Sequence, residues 1–117
     1  MRAVVFDRFG PPDVLRVAEL PDPEPGPGQV RIRVRAAGVQ PFDVAVRQGG
    51  MPWIEVSFPG QQIGQEYSGV VDQVGDGLST IAVGDEVLGS SMLNGHASAV
   101  VVAAETVVAK PAGVDFP

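Results

Sequence analysis

The chain has 117 residues, 44% of them hydrophobic, which suits one compact domain with a single core and leaves little room for a second. With 14 acidic against 8 basic side chains, the net charge of −6 repels phosphate backbones and anionic lipid, so no nucleic-acid or membrane partner is expected. Cysteine is absent, which excludes a disulfide framework, thiolate zinc sites and thiol catalysis; no run approaches the ~20 apolar residues of a membrane span and Met1 to Phe9 lacks a signal-peptide pattern, so a soluble, cytoplasmic chain is expected.

The 15 glycines and 11 prolines imply many turns with short elements between them, which favours β structure. Arg2 to Asp7 is a short β-branched run ended by Gly10-Pro11-Pro12, and Val14 to Leu20 reads as its hairpin partner. Pro21 to Gly28 alternates proline with polar residues and glycine; lacking the N–H groups for a ladder, it is a stiff connector. Gln29 to Ala37 has the clearest period of two, with Val30, Ile32, Val34 and Ala36 on one face and Arg31, Arg33 and Arg35 on the other. The arginines read as a solvated sheet face rather than a basic stripe for an anionic partner.

Gln40 to Gln48 lacks that alternation, and Val39, Phe42 and Val46 fall at helical spacings, so a short helix is expected after a Gly38 turn. Gln48 to Pro59 is a loop concentrating Met51, Pro52, Trp53, Ile54 and Phe58, either as a satellite core or as the wall of a binding cleft. Tyr67 to Val74, Glu86 to Leu88, His96 to Val102 and Thr106 to Ala109 complete seven expected strands, consistent with a barrel or sandwich. Gly75-Asp76-Gly77 imitates half of a dinucleotide-binding fingerprint, but without the third glycine or a following long helix it reads as a hairpin turn.

Machinery for chemistry is sparse. The single histidine, His96, stands in a strand next to glycine and reads as a packed or surface residue rather than a catalyst. Glu66, between Gly64 and Gly69, is either a buried acid with perturbed ionisation or a structural carboxylate that takes backbone N–H bonds or an arginine. The structural reading is the expectation.

An ordered set of segments carries a resemblance. Met1-Arg2-Ala3-Val4-Val5-Phe6 with Phe9 to Leu15, then Pro25 to Val30, Arg35 to Val39 with Pro41 and Asp43, Gly64 through Gly69 to Gly75, Val83 to Val87, and Ala109-Lys110-Pro111 are similar to the quinone-oxidoreductase branch of the medium-chain dehydrogenases/reductases. The resemblance covers nearly the whole chain. It implies a mainly β, GroES-like, partly open barrel with one or two short helices over residues 1–117, forming the substrate-side half of a reductase whose Rossmann nucleotide-binding domain follows in cis. The expected function is reduction of quinones or α,β-unsaturated carbonyls by hydride from NADPH, with homodimerisation of the full protein left open and the isolated domain catalytically silent. A co-chaperonin-like or trans-acting binding module without catalysis is the alternative.

Zinc-dependent relatives place a ligand Cys directly after the Gly-Val pair, a relay hydroxyl two positions on, and His before the glutamate; here Gln40, Phe42 and Gln65 hold those places. An amide is a poor zinc ligand beside thiolate or imidazole, so no zinc is expected. The resemblance implies Gln40 as a cofactor contact and Phe42, Met51 and Trp53 as the lining of the substrate mouth. His96 and Ser98 stand where the family has other residues, and the resemblance assigns them no role.

Overall fold

A computed structural model describes residues 1–117. Eight strands follow in the order β1 (Arg2–Phe6), β2 (Leu15–Glu19), β3 (Gln29–Ala36), β4 (Gln61–Gln62), β5 (Glu66–Val74), β6 (Glu86–Ser90), β7 (Ala99–Ala103) and β8 (Val107–Ala109), with one helix, α1 (Pro41–Arg47), between β3 and β4. Single 3₁₀ turns at Pro12–Val14 and Ala104–Thr106 precede β2 and β8. The expectation of a mainly β fold with one or two short helices matches, with α1 the one α-helix. The two-residue β4 adds an eighth strand that no periodicity could signal, and β7 starts at Ala99 rather than His96.

The strands form two sheets, one in the order β2-β1-β4 and a curled one in the order β7-β3-β5-β6-β8, with every recorded pairing antiparallel. β1 and β2 make the expected hairpin, from Arg2 opposite Glu19 to Phe6 opposite Leu15. Backbone bonds from Val4 N–H to His96 O and from Ser98 N–H to Arg2 O stitch the small sheet to the segment leading into β7.

The curled sheet closes over Val30, Ile32, Tyr67, Val71, Val87, Val100 and Val102, all buried. Alternation in β3 and β5 supplies this core directly. Gly69 is required in β5 because a Cβ there would stand 2.1 Å from the Arg33 carbonyl oxygen, a backbone atom that cannot retreat. At Gly75 the backbone of the proline-rich connector approaches instead: a Cβ would lie 2.0 Å from Gly26 O, and Gly28 N–H bonds Asp76 O. Gly75 and the Asp76 carbonyl thus dock the connector onto the loop between β5 and β6.

The arginine face of β3 is not simply solvated. Between the pairs Arg31–Gln73 and Ile32–Val71 the register shifts, leaving Asp72 as an extra residue in β5. Its two carboxylate oxygens take Arg31 Nε at 2.8 Å and Arg33 Nη2 at 2.8 Å. Burial opposes ionisation of Asp72, but the two guanidinium hydrogen bonds outweigh it and hold the carboxyl below its ordinary range. A strand bulge, invisible to alternation, changed a solvent face into an ion-paired one.

A second core lies between α1, the hairpin and the loop after α1. Phe6, Val14, Val46 and Ile63 are buried there, with Phe42, Met51, Ile54 and Val56 packed against them. Phe58 stacks edge-on against Phe6 and Phe9 at centroid separations of 5.4 and 5.1 Å.

Candidate functional site

The segment between β3 and α1 brings one sequence-derived candidate, Gln40, toward β5. Proline cannot donate a hydrogen bond at the first position of a helix and is pre-set for its φ, so Pro41 starts α1 immediately after Gln40. Asp43 in the first turn reaches back, and its Oδ2 accepts the Gln40 backbone N–H at 2.8 Å. The Gln40 side chain is then free to cross to β5, where Nε2 donates to Glu66 Oε2 at 2.7 Å. Gly38 makes room, because a Cβ at that position would meet the same Glu66 oxygen at 2.7 Å.

Glu66 is therefore neither a buried acid nor an arginine partner. Alternation from Glu66 turns Tyr67, Gly69 and Val71 inward and leaves the carboxylate exposed, where it accepts the Gln40 amide. A cavity of about 450 Å³ opens beside this pair, with Gly38, Glu66, Tyr67 and Gly89 in its lining. The Tyr67 hydroxyl is buried without a hydrogen-bond partner, and a Cβ on Gly89 would approach it to 2.5 Å. Burial pushes the Tyr67 phenol up to about 12.

The other candidates lie elsewhere. Phe42 and Met51 pack on the second core, whereas Trp53 is 72% exposed. None of the three lines the cavity beside Glu66. The loop 48–60 thus divides between the two uses its composition allowed, with Met51 and Ile54 in a satellite core and Trp53 facing outward.

His96 and Asp43 carry more of this region than the sequence suggested. His96 Nε2 sits 2.8 Å from Gly38 O, and since a carbonyl can only accept, that nitrogen carries the proton. The ring also stands 3.9 Å from Asp43 Oδ2. Asp43 is buried, and its Oδ1 has no hydrogen-bond partner. A proline followed two residues later by aspartate, at the start of an apolar helix, is the capping signal that marks Asp43 in the sequence. For His96 no local signal exists, because its partner lies 58 residues away.

Comparison with known proteins places this geometry. Residues 26–114 match the alcohol dehydrogenase GroES-like domain. Human quinone oxidoreductase is 35% identical over 118 aligned positions, covering 99% of this chain and 35% of the relative, so the chain spans about a third of that protein's length. Among solved structures, the human synaptic vesicle membrane protein VAT-1 homolog-like protein superposes with a TM-score of 0.93 at 34% identity, over 99% of this chain and 36% of the other. The Escherichia coli quinone oxidoreductase complexed with NADPH gives 0.89 at 28% identity, over 99% of this chain and 35% of that one. The chain belongs to the alcohol dehydrogenase GroES-like domain family, and its relatives include quinone oxidoreductases.

Proposed function

We propose that residues 1–117 form the substrate-side domain of a zinc-independent oxidoreductase that passes hydride from NADPH to a quinone or an α,β-unsaturated carbonyl, its nucleotide held by a Rossmann domain of the same protein. The observation that carries this reading is the Gln40–Glu66 hydrogen bond beside an open cavity, in a chain similar to quinone oxidoreductases. A reduced nicotinamide, when bound, supplies the hydride.

The residues at hand suit a nicotinamide better than a metal. Gln40 offers a primary amide whose nitrogen has two N–H groups, one of them directed to Glu66, which leaves donor capacity for a carboxamide. Gly38 keeps the adjacent backbone open. For zinc the donor chemistry is poor: Gln40 and Gln65 are amides, Glu66 already accepts from Gln40, and the one imidazole uses Nε2 on Gly38. In this reading Gln40 orients the cofactor, Phe42 and Met51 stiffen the second core on which α1 rests, and Trp53, exposed on the loop after α1, is the remaining candidate for contact with substrate. Catalysis rests on holding donor and acceptor together away from water rather than on an acid or base.

The test is NADPH oxidation by the protein carrying both halves, with a panel of quinones and enones, with and without chelator. Turnover that persists in chelator, and a Gln40→Ala variant with a KM for NADPH raised about tenfold, are expected. Loss of turnover on chelation would overturn the zinc-free assignment. The 117-residue chain alone is expected to show no turnover.

A further inference from the structure

Two peptide groups flank Val39, and each is held from a different direction. The carbonyl of Gly38 accepts from His96 Nε2 at 2.8 Å, and the N–H of Gln40 donates to Asp43 Oδ2 at 2.8 Å. Between them Val39 is 75% exposed, so apolar burial of its own side chain does little to anchor this stretch. Its placement depends on polar contacts, these two among them.

Both contacts are backed by packing. The His96 side chain is 15% exposed and the Asp43 side chain 4%. Gly64 adopts φ +111°, and a Cβ there would lie 2.4 Å from the His96 ring and from its backbone nitrogen, so the ring is seated directly on a bare backbone. His96 is also fixed along the chain, its N–H bonding Ile63 O at 3.0 Å and its carbonyl taking Val4 N–H at 2.9 Å. His96 thus ties β1 and the approach to β5, through its backbone, to the segment that carries Gln40, through its ring.

We propose that His96 and Asp43 are positioning residues that clamp the Gly38–Gln40 segment, and that this clamp aims the Gln40 amide at Glu66 and the adjoining cavity. The juxtaposition of a ring N–H on one side of Val39 and a buried carboxylate on the other is the whole device. Its consequence for cofactor binding rests on the reading of Gln40 given under Proposed function; the clamp itself does not.

The first test uses the unaltered 117-residue chain: ¹⁵N NMR of the imidazole at neutral pH should find the proton on Nε2. A ring protonated only on Nδ1 overturns the proposal without any variant having to fold. In His96→Phe, which keeps a ring and loses the donor, hydrogen exchange of the Gln40 amide should accelerate about five- to tenfold, the scale of one net hydrogen bond. His96→Gln, with an N–H donor at similar reach, should recover most of that protection. Unchanged exchange in His96→Phe, or no recovery in His96→Gln, overturns the clamp.

In the protein carrying both halves, His96→Phe should raise KM for NADPH about fivefold with kcat changed less, and His96→Gln should reverse it. An unaltered protein that turns over, with a His96→Phe variant of identical KM, refutes the positioning role. If exchange behaves as expected but the unaltered protein neither binds nor oxidises NADPH, the functional reading fails and the clamp stands.

Discussion

The curled five-stranded sheet and the corner around α1 are held together by different physics. In the sheet, valines of β3, β5 and β7, with Ile32 and Tyr67, bury a continuous apolar interior. At the corner, the segment that presents Gln40 has an exposed valine and hangs on side-chain contacts from Asp43, His96 and Glu66. A region built on area tolerates no crowding and reports damage as lost stability. One built on a few directed bonds can be disturbed with little global cost and reports damage as lost placement.

Paired glycine substitutions test that contrast most sharply. Gly69→Ala drives a methyl against the Arg33 carbonyl and should cost about 3 kcal/mol or more, enough to abolish a cooperative calorimetric transition in a marginal domain. Gly38→Ala meets only the end of the flexible Glu66 side chain, so it should cost about 0.5 kcal/mol or less while displacing Glu66 from Gln40. Equal losses in the two variants would erase the distinction.

Next in size is Asp72→Ala, which leaves Arg31 and Arg33 without their shared carboxylate and should cost about 1–3 kcal/mol in urea unfolding at neutral pH. Because the folded carboxyl is held below its ordinary value, its contribution is present above the unfolded pKa and declines as pH falls through the folded one. The stability difference between Asp72→Ala and the unaltered chain should therefore shrink in acid. A difference constant down to pH 2 would contradict the assignment.

Tyr67 gives a small effect of the opposite sign. Its hydroxyl is buried and unpartnered, so Tyr67→Phe should be neutral or stabilising by up to about 1 kcal/mol near pH 7. With its phenol raised from 10.0 to about 12, the contribution of the neutral form is intact below pH 10 and lost as pH rises toward 12. The Phe variant should lack that part of the alkaline decline in circular dichroism melts. A Phe variant markedly less stable than the tyrosine protein would mean the hydroxyl has a partner.

Much of the sheet could be read from the sequence because its cause is local and periodic. Val30, Ile32 and the arginines of β3 alternate, and the structure places the apolar set inside as expected. The fate of the arginines was hidden because it depends on one extra residue, Asp72, in a strand 39 to 41 residues away. The corner was less legible for the same reason. Gln40 could be named from resemblance, but its partner Glu66 and the His96 contact to Gly38 span 26 and 58 residues. No spacing rule reaches that far. Met51 and Trp53 show a further limit: of two large apolar side chains in one prolyl loop, one packs on the core and the other stays exposed, and only the packed core decides which is covered.

Trp53 is the only tryptophan in the chain and stands 72% open to solvent. Its indole already sees water in the native state, so its emission should change little when the sheet melts. The same fluorophore should shift to the blue when anything settles over the loop after α1, which makes this chain a poor reporter of its own unfolding and a sensitive one of being covered.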